Sequence, residues 1–376
     1  MPAEAPSSPP AGRRLDPRSL VNPATIILII AVGLALLGLT ILFSASAWLR
    51  TGPYFYLNKQ VFGVLLAAGV CFVMSRVNLD YARRYAWWVF GICAVLLFLT
   101  LVVGIRVNGS RRWLGFGSLR VQVSEFAKLG LVFCLAHYLA LNQTRIGELR
   151  RGFVYPLGII GVIAVLTLLE PDFGVAALMV AVGLVLLFLA GAKWRFILPT
   201  VLLVGSLFSV AVIHNPNRLR RMTEFLSEDK SYQLRQGLAA FAVGGVEGAG
   251  LGNGRQQLSY LPEAHTDYIF SVIGEEFGLI ACAVVVAVYC AIALRVLMRL
   301  LDEDDLFTIL AAAGLTAQLV GQAFINILVN LQLFPSKGMT LPLISYGGSS
   351  TIALLMGVGL LLAITRRNPY LTREKF

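Results

Sequence analysis

Charge is scarce in this sequence: Asp, Glu, Lys and Arg make up 14% of 376 residues, against 57% hydrophobic. A water-soluble domain of that length carries roughly a quarter charged residues, so a soluble globular fold is excluded. Burying so much apolar surface requires lipid as solvent, and the apolar residues come in long runs, as a membrane bundle needs. Cysteine is sparse too. Cys71, Cys93, Cys134, Cys282 and Cys290 all fall inside apolar runs without a C-x-x-C pair, which speaks against disulfides and thiolate metal sites and for small packing residues. A cleavable leader is not legible. The first apolar run, Ala24 to Trp48, is too long for a signal-peptide core and reads as a spanning helix.

The net charge of +11 raises nucleic acid as a partner. In a membrane protein, basic residues instead collect in cytoplasmic loops and face anionic lipid, so membrane lipids are the expected partner and nucleic acid is not. A helix needs about 20 residues to cross the hydrocarbon. Ten candidates meet that measure: 24–48, 56–75, 85–105, 122–142, 153–169, 174–191, 195–213, 267–298, 305–333 and 343–365. The fifth and sixth are short, and the eighth and ninth must tilt or protrude. The expected fold is an all-α membrane protein, a ten-helix bundle over 23–367 with one large extracytoplasmic loop, 214–266, between helices seven and eight. Residues 1–22 read as a disordered cytoplasmic tail rich in Pro, Ser and Arg, and 368–376 as a second cytoplasmic tail. With the N-terminus inside, seventeen Lys and Arg fall in cytoplasmic segments and seven in short outer loops, which places both termini in the cytoplasm.

The long loop opens with Arg218-Leu219-Arg220-Arg221, suited to lipid headgroups, and offers a short amphipathic helix over Ser231 to Phe241. Its glycine-rich run, Gly244 to Gly254, lacks the strand-to-helix context of a nucleotide site and reads as a tight loop beside the substrate.

Ionisable groups in spanning helices are costly and so mark function by default. Four clusters stand out, all toward the outer side. The first joins the loop Asn108-Gly109-Ser110-Arg111-Arg112-Trp113 to Glu125 and Lys128, which share a helix face. Lys128 is either an internal partner of Glu125 or a cation lining a cavity, and Trp113 either an interfacial anchor or a sugar platform. The second is Glu170-Pro171-Asp172, which either caps the next helix or anchors a metal or a cationic loop. The third is Leu261 to Asp267, including Glu263 and His265, leading into a stripe of Asp267, Ser271, Glu275 and Gly278 on one helix face. His265 reads as a support. The fourth is an amide ladder, Gln318, Gln322, Asn326 and Asn330, answered by Ser345 to Ser350. These amides either glue helices or line a groove for a polar headgroup. Lys337 sits at the same level.

At these residues the chain resembles the shape, elongation, division and sporulation (SEDS) family of peptidoglycan glycosyltransferases. The resemblance rests on Asn108 to Trp113, Ser124 to Leu129, Glu170 to Gly174, Leu261 to Phe270 with Gly274-Glu275-Glu276, and Lys337 to Ser350. It covers about residues 25–367, and Phe334 to Leu343 with Gly274 is more similar to the division branch than to the elongation branch. The resemblance implies Asp267 as the essential carboxylate, with Lys128 facing it in a central cavity. It implies substrate contacts from Trp113, Arg111 or Arg112, and Glu263, to which the polar clusters add His265, Ser349, Lys337 and Asn326. It also implies lipid II and nascent glycan as substrates, and a class B penicillin-binding protein and other divisome proteins as partners. The location implied is the division septum of a bacterial inner membrane. A divalent cation, Mg²⁺ or Mn²⁺, is expected with the pyrophosphate, although no protein ligand set for a metal is legible. The expected chemistry is a single inverting displacement that releases undecaprenyl pyrophosphate. A lipid II flippase, an elongation-type polymerase and a non-catalytic scaffold are the rival readings.

Overall fold

The structure, a computed structural model, describes residues 22–47, 52–107, 110–116, 119–227, 232–254 and 265–366. The two expected tails lie outside the described residues, apart from Asn22. Nine helices among the described residues are long and apolar enough to cross a membrane. They are α1 (Pro23–Ser46), α2 (Pro53–Met74), α4 (Ala86–Val103), α5 (Val123–Leu141), α6 (Tyr155–Leu169, extended by a π turn from Arg150), α8 (Trp194–Ile213), α11 (Ile269–Leu300), α12 (Leu306–Asn330) and α13 (Gly348–Arg366). A further apolar helix, α7 (Phe173–Leu189), has 17 residues, about 25 Å at 1.5 Å per residue. Short helices α3 (Leu79–Arg84), α9 (Pro216–Leu226) and α10 (Tyr232–Gly244) fill the connections.

Local chemistry sets several starts. Asn22 accepts from the Ala24 N–H at 3.0 Å with Pro23 in the first turn of α1. Asp305 accepts from the N–H and Oγ1 of Thr308 to start α12. In the apolar windows of α5 and α13, 78% of residues are buried, against 11% for α8, so the first two form the centre and α8 the periphery. Large apolar side chains such as Leu202, Leu203 and Leu207 of α8 are exposed, as expected where lipid replaces protein.

Two expectations are corrected. The fold is not purely helical. The segment after α4 forms a three-stranded antiparallel sheet, β1 (Ile105–Val107), β2 (Ser110–Phe116) and β3 (Leu119–Val121), in the order β1-β2-β3. The Asn108-Gly109 pair between β1 and β2 is a strong two-residue hairpin signal in sequence, overlooked when the segment is read as a plain loop. Two arginines of β2 lock this sheet to the bundle. Nη1 of Arg111 donates to the Leu101 and Val102 carbonyls at the end of α4, at 3.1 and 2.8 Å. Arg112 donates to the Glu170 and Pro171 carbonyls, at 3.1 and 2.5 Å, and pairs with Asp172 at 4.0 Å. Asp172 also caps α7 through the Val175 N–H. The acidic turn therefore acts both as a cap and as an anchor for a cation.

The second correction concerns the eighth span. It is not a continuous helix from residue 267. Asp267 precedes α11, and Gly278 breaks it with φ 73° and ψ −172°. The break strands backbone groups that the glycine-rich run satisfies. The Ala249 and Gly250 N–H groups donate to the Glu275 and Glu276 carbonyls at 2.9 Å, and the Leu279 N–H donates to Gly245 O at 3.0 Å. Glu276 Oε1 then accepts from the Gly252 N–H and from Ser44 Oγ of α1. A Cβ on Gly278 would lie 2.3 Å from Val246 O and 2.5 Å from Gly248 N, so both conformation and space demand glycine.

Two outcomes follow. Gly278→Ala lowers stability by about 2 kcal/mol or more, seen as a depressed melting temperature in detergent. Gly33→Ala, where nothing lies within 4 Å of the added methyl, leaves it unchanged or slightly raised. Glu170 is fully buried, and burial followed by the Asp172 charge pushes its carboxyl up to about 8, against the pull of Arg112. A carboxyl held above its unfolded pKa costs stability as pH rises from the ordinary carboxylate range to about 8, by at most about 1.4 kcal/mol per unit. Glu170→Gln therefore gains stability on the parent between pH 5 and 9, measured as melting temperature against pH; parallel curves would refute this.

Candidate functional site

Gln322, Asn326 and Asn330 of α12 converge on two non-helical segments, 265–268 and 331–347, while Gln318 faces a cavity lined by Leu129, Leu315 and Leu319. Pro335 and Pro342 keep the second from joining α12 to α13 as helix, so the tenth helix starts at Gly348 rather than at 343. The backbone groups freed in this segment find the amide ladder. Asn326 Nδ2 donates to Met339 O at 2.6 Å and to Asp267 O at 2.9 Å. Asn330 Nδ2 donates to the same Asp267 carbonyl at 2.9 Å, while its Oδ1 accepts from the N–H and Oγ of Ser271. Gln322 Nε2 donates to Thr340 O at 3.0 Å.

This clamp fixes the base of the Asp267 side chain. Its carboxylate lies along Gly338, where an added Cβ would come 3.2 Å from Oδ2. Lys128 reaches the same strap from α5. Its Nζ donates to Gln322 Oε1 at 2.7 Å and pairs with Glu125 at 3.0 Å, with only 2% of the side chain exposed. Ser350 Oγ donates to Glu125 Oε2, and Thr340 Oγ1 lies 3.2 Å from Ser350 Oγ. Gln322 and Asn326, one turn apart, thus link the Lys128 ammonium and the Asp267 main chain to Met339 and Thr340, next to Gly338, along which the Asp267 carboxylate lies.

The remaining candidates surround this pair. Ser349 Oγ accepts from the Gln122 N–H at 3.3 Å, and Gln122 Nε2 donates to Asp172 at 3.1 Å, which links the α13 and α7 starts to α5. Burial raises the pKa of Asp172, and Arg112 and more weakly Lys128 oppose the shift. The Lys337 ammonium lies 5.0 Å over the Phe334 ring; burial pulls its pKa down while Asp172 pulls it up. His265 packs between Tyr56 and Tyr346, with ring centroids at 5.2 and 5.9 Å, and its carbonyl accepts from the Tyr346 N–H. Trp113 sits in β2 opposite Ile105, partly buried. Arg111 and Arg112 are engaged with backbone carbonyls as described. Glu263 lies outside the described residues.

Three residues near the site escaped sequence reasoning. Tyr268 follows Asp267 directly, and burial followed by the Asp267 charge pushes its phenol up to about 12. Tyr56 of α2 completes the aromatic trio. Arg218 of α9 stacks on Phe173, the first residue of α7. Arg218 carried a signal in the basic start of the loop, and that signal pointed to lipid; Tyr268 lay inside the Leu261 to Phe270 motif without a role of its own. Among the described residues no group of three or more His, Cys, Asp or Glu is placed to hold a divalent ion; Glu263 lies outside them.

Known proteins resemble this chain in sequence and in fold. The chain is similar to the probable peptidoglycan glycosyltransferase FtsW of Legionella pneumophila, 38% identical over 350 residues covering 89% of each chain. It is 41% identical to the protein of the same description from Thioalkalivibrio sulfidiphilus, covering 89% of this chain and 87% of that one. Among solved structures, it resembles a chain from work on the coordination of polymerization and crosslinking by a peptidoglycan synthase complex, with TM-score 0.77, 27% identity, and 90% and 96% of the two chains covered. It also resembles the rod shape determining protein RodA of Thermus thermophilus, with TM-score 0.71, 28% identity, and 93% and 98% covered. The family model FTSW_RODA_SPOVE, described as "Cell cycle protein", matches residues 24–370, and the chain therefore belongs to the FtsW, RodA and SpoVE family.

Proposed function

We propose that this protein is a peptidoglycan glycosyltransferase of the division type, which polymerises lipid II into glycan strands at the septum. The observation that carries the reading is the shared strap: Asn326 holds the Asp267 main chain, whose carboxylate lies along Gly338, and Gln322 joins the Lys128 ammonium to the nearby Thr340. The FtsW relatives, at 38–41% identity over most of the chain, support it.

In the reaction, the GlcNAc 4-hydroxyl of the acceptor attacks C1 of the donor MurNAc. Asp267 takes the hydroxyl proton as the C1–O bond to the acceptor forms. The bond from C1 to the pyrophosphate oxygen breaks with its electron pair, and undecaprenyl pyrophosphate leaves. One displacement converts an α-linked donor into a β-linked product, so one base and one stabilised leaving group suffice. Lys128 and Arg112 supply positive charge toward the leaving group. Arg111 has its Nη1 on the α4 carbonyls and acts through the position of β2. Trp113, Lys337, His265, Ser349, Asn326 and Glu263 complete the proposed substrate surface, with Asn326 acting through the Asp267 backbone.

The membrane arrangement belongs to the same reading. The short α7 is the tenth span, both termini are cytoplasmic, and the site opens on the outer face of the bacterial inner membrane. The partner is a class B penicillin-binding protein, which crosslinks the strands made here, within the wider divisome. Reconstitution with lipid II and that partner tests the proposal. Asp267→Asn lowers glycan polymerisation by about 10²–10⁴-fold while the membrane level of the protein stays unchanged. Lys128→Met also falls steeply, since it removes the donor to Gln322 and leaves Glu125 buried without its cation. Glycan chains made in detergent separate a polymerase from a flippase, and near-parental polymerisation by Asp267→Asn would remove the proposed base.

A further inference from the structure

The start of α7 is surrounded by more cations than acids. Arg112 reaches it from β2 and pairs with Asp172 at 4.0 Å. Lys337 reaches it from the strap, where its Cδ lies 3.7 Å from a Cβ built on Gly174. Arg218 reaches it from α9. There, Asn215 caps the helix and Pro216 opens it, and the Arg218 side chain turns back so that its guanidinium carbon sits 3.3 Å over the Phe173 ring centroid. Its Nη1 donates to Ala211 O at 3.2 Å.

Among the described residues, Asp172 faces Arg112 and Lys337, Arg218 stands over the next residue Phe173, and the Glu170 carboxyl holds its proton up to about 8; Glu125, which also acts on Asp172, is paired with Lys128. The N-terminus of α7 adds partial positive charge. Burial and then the neighbouring Arg112 charge both pull the pKa of Arg218 down. Like charges brought together in a partly buried place are stabilised by an anion with several oxygens, and guanidinium forks match phosphate geometry. One turn further along α9, Arg221 lies within electrostatic reach of Tyr268, so α9 bridges from the α7 start to the residue beside Asp267.

We propose that Arg218, Arg112 and Lys337 form a pyrophosphate-binding site at the start of α7, with α9 supplying a cation from the long loop. The site deepens the glycosyltransferase reading and rests on it for the identity of the prenyl-linked sugar. Holding the two phosphate groups there stabilises the charge released when the bond to C1 breaks. Phe173 is the positioning residue: its ring supports the Arg218 plane and fixes where the fork points.

The test titrates purified full-length protein with farnesyl pyrophosphate, reading saturable thermal stabilisation, with farnesyl monophosphate as comparison. The parent binds the pyrophosphate more tightly than the monophosphate. Arg218→Gln raises the apparent Kd for the pyrophosphate by about tenfold or more. Arg218→Lys keeps the charge, loses the fork and gives an intermediate value; it decides the matter if the Gln variant fails to fold. Arg220→Gln, which removes an exposed residue paired with Glu224 at 3.4 Å, behaves as the parent. Parental affinity in Arg218→Gln, or in a folded Arg218→Lys where the Gln variant cannot be purified, overturns the site, as does equal affinity for the monophosphate. Loss of binding in Arg218→Gln beside a parent that makes no glycan from lipid II would instead uphold the anion site and overturn the glycosyltransferase reading.

Discussion

The carboxamides of Gln322, Asn326 and Asn330 hold together what the helices alone would leave apart. A carboxamide offers donor and acceptor at once, and its neighbours here are backbone carbonyls that have left helical geometry beside Asp267, Met339 and Thr340. In a region without bulk water an unpaired carbonyl is costly, so each of these groups needs a partner. Individual interhelical hydrogen bonds in membranes contribute about 0.6 kcal/mol on average, so the strength of the clamp lies in number and geometry. Replacing Gln322 by an aliphatic residue removes a partner from both the Thr340 segment and the Lys128 ammonium.

The same constraint explains the broken elements. The break at Gly278 and the extended strap before α13 both expose backbone groups, and each is answered by a dedicated partner. The glycine-rich run fills the first, and the amide ladder fills the second. Glycine is required where backbones approach, at Gly278 against Val246, while a Cβ on Gly338 would sit tightly against the Asp267 carboxylate. Irregular backbone inside a membrane protein thus collects where protein lines it, and here it collects around the two charged groups that the proposed chemistry uses.

Electrostatics gives the site a direction. Glu125 compensates Lys128, and Asp172 compensates Arg112 only in part, so positive charge remains at the start of α7 while Asp267 stands at the start of α11. A reaction that takes a proton at one point and releases negative charge at another fits such a separation. The amphipathic α9 joins the two regions from the loop side, carrying Arg218 and Arg221 on one face.

Much of this was legible in residue order alone. Hydropathy runs marked the long helices, because lipid selects for length and apolarity one helix at a time. The improbable polar residues Lys128, Asp267, Gln322 and Asn326 marked the site, because their cost in a membrane is local. Other features depended on long-range contacts. Gly278 looked like one more small residue on a helical stripe until Val246 and Gly248 were brought against it. Arg111 and Arg112, adjacent in sequence, reach different anchors, and only the sheet makes them part company: Arg111 pairs with Arg106 while the register shift before Trp113 leaves Arg112 as the extra residue of β2. Arg218 read as a lipid contact because its neighbour Phe173 lies on another helix. The sequence by itself determined the membrane class and the chemical types present. Tertiary structure decided which carbonyl, carboxylate and cation meet, since those pairings join residues far apart along the chain.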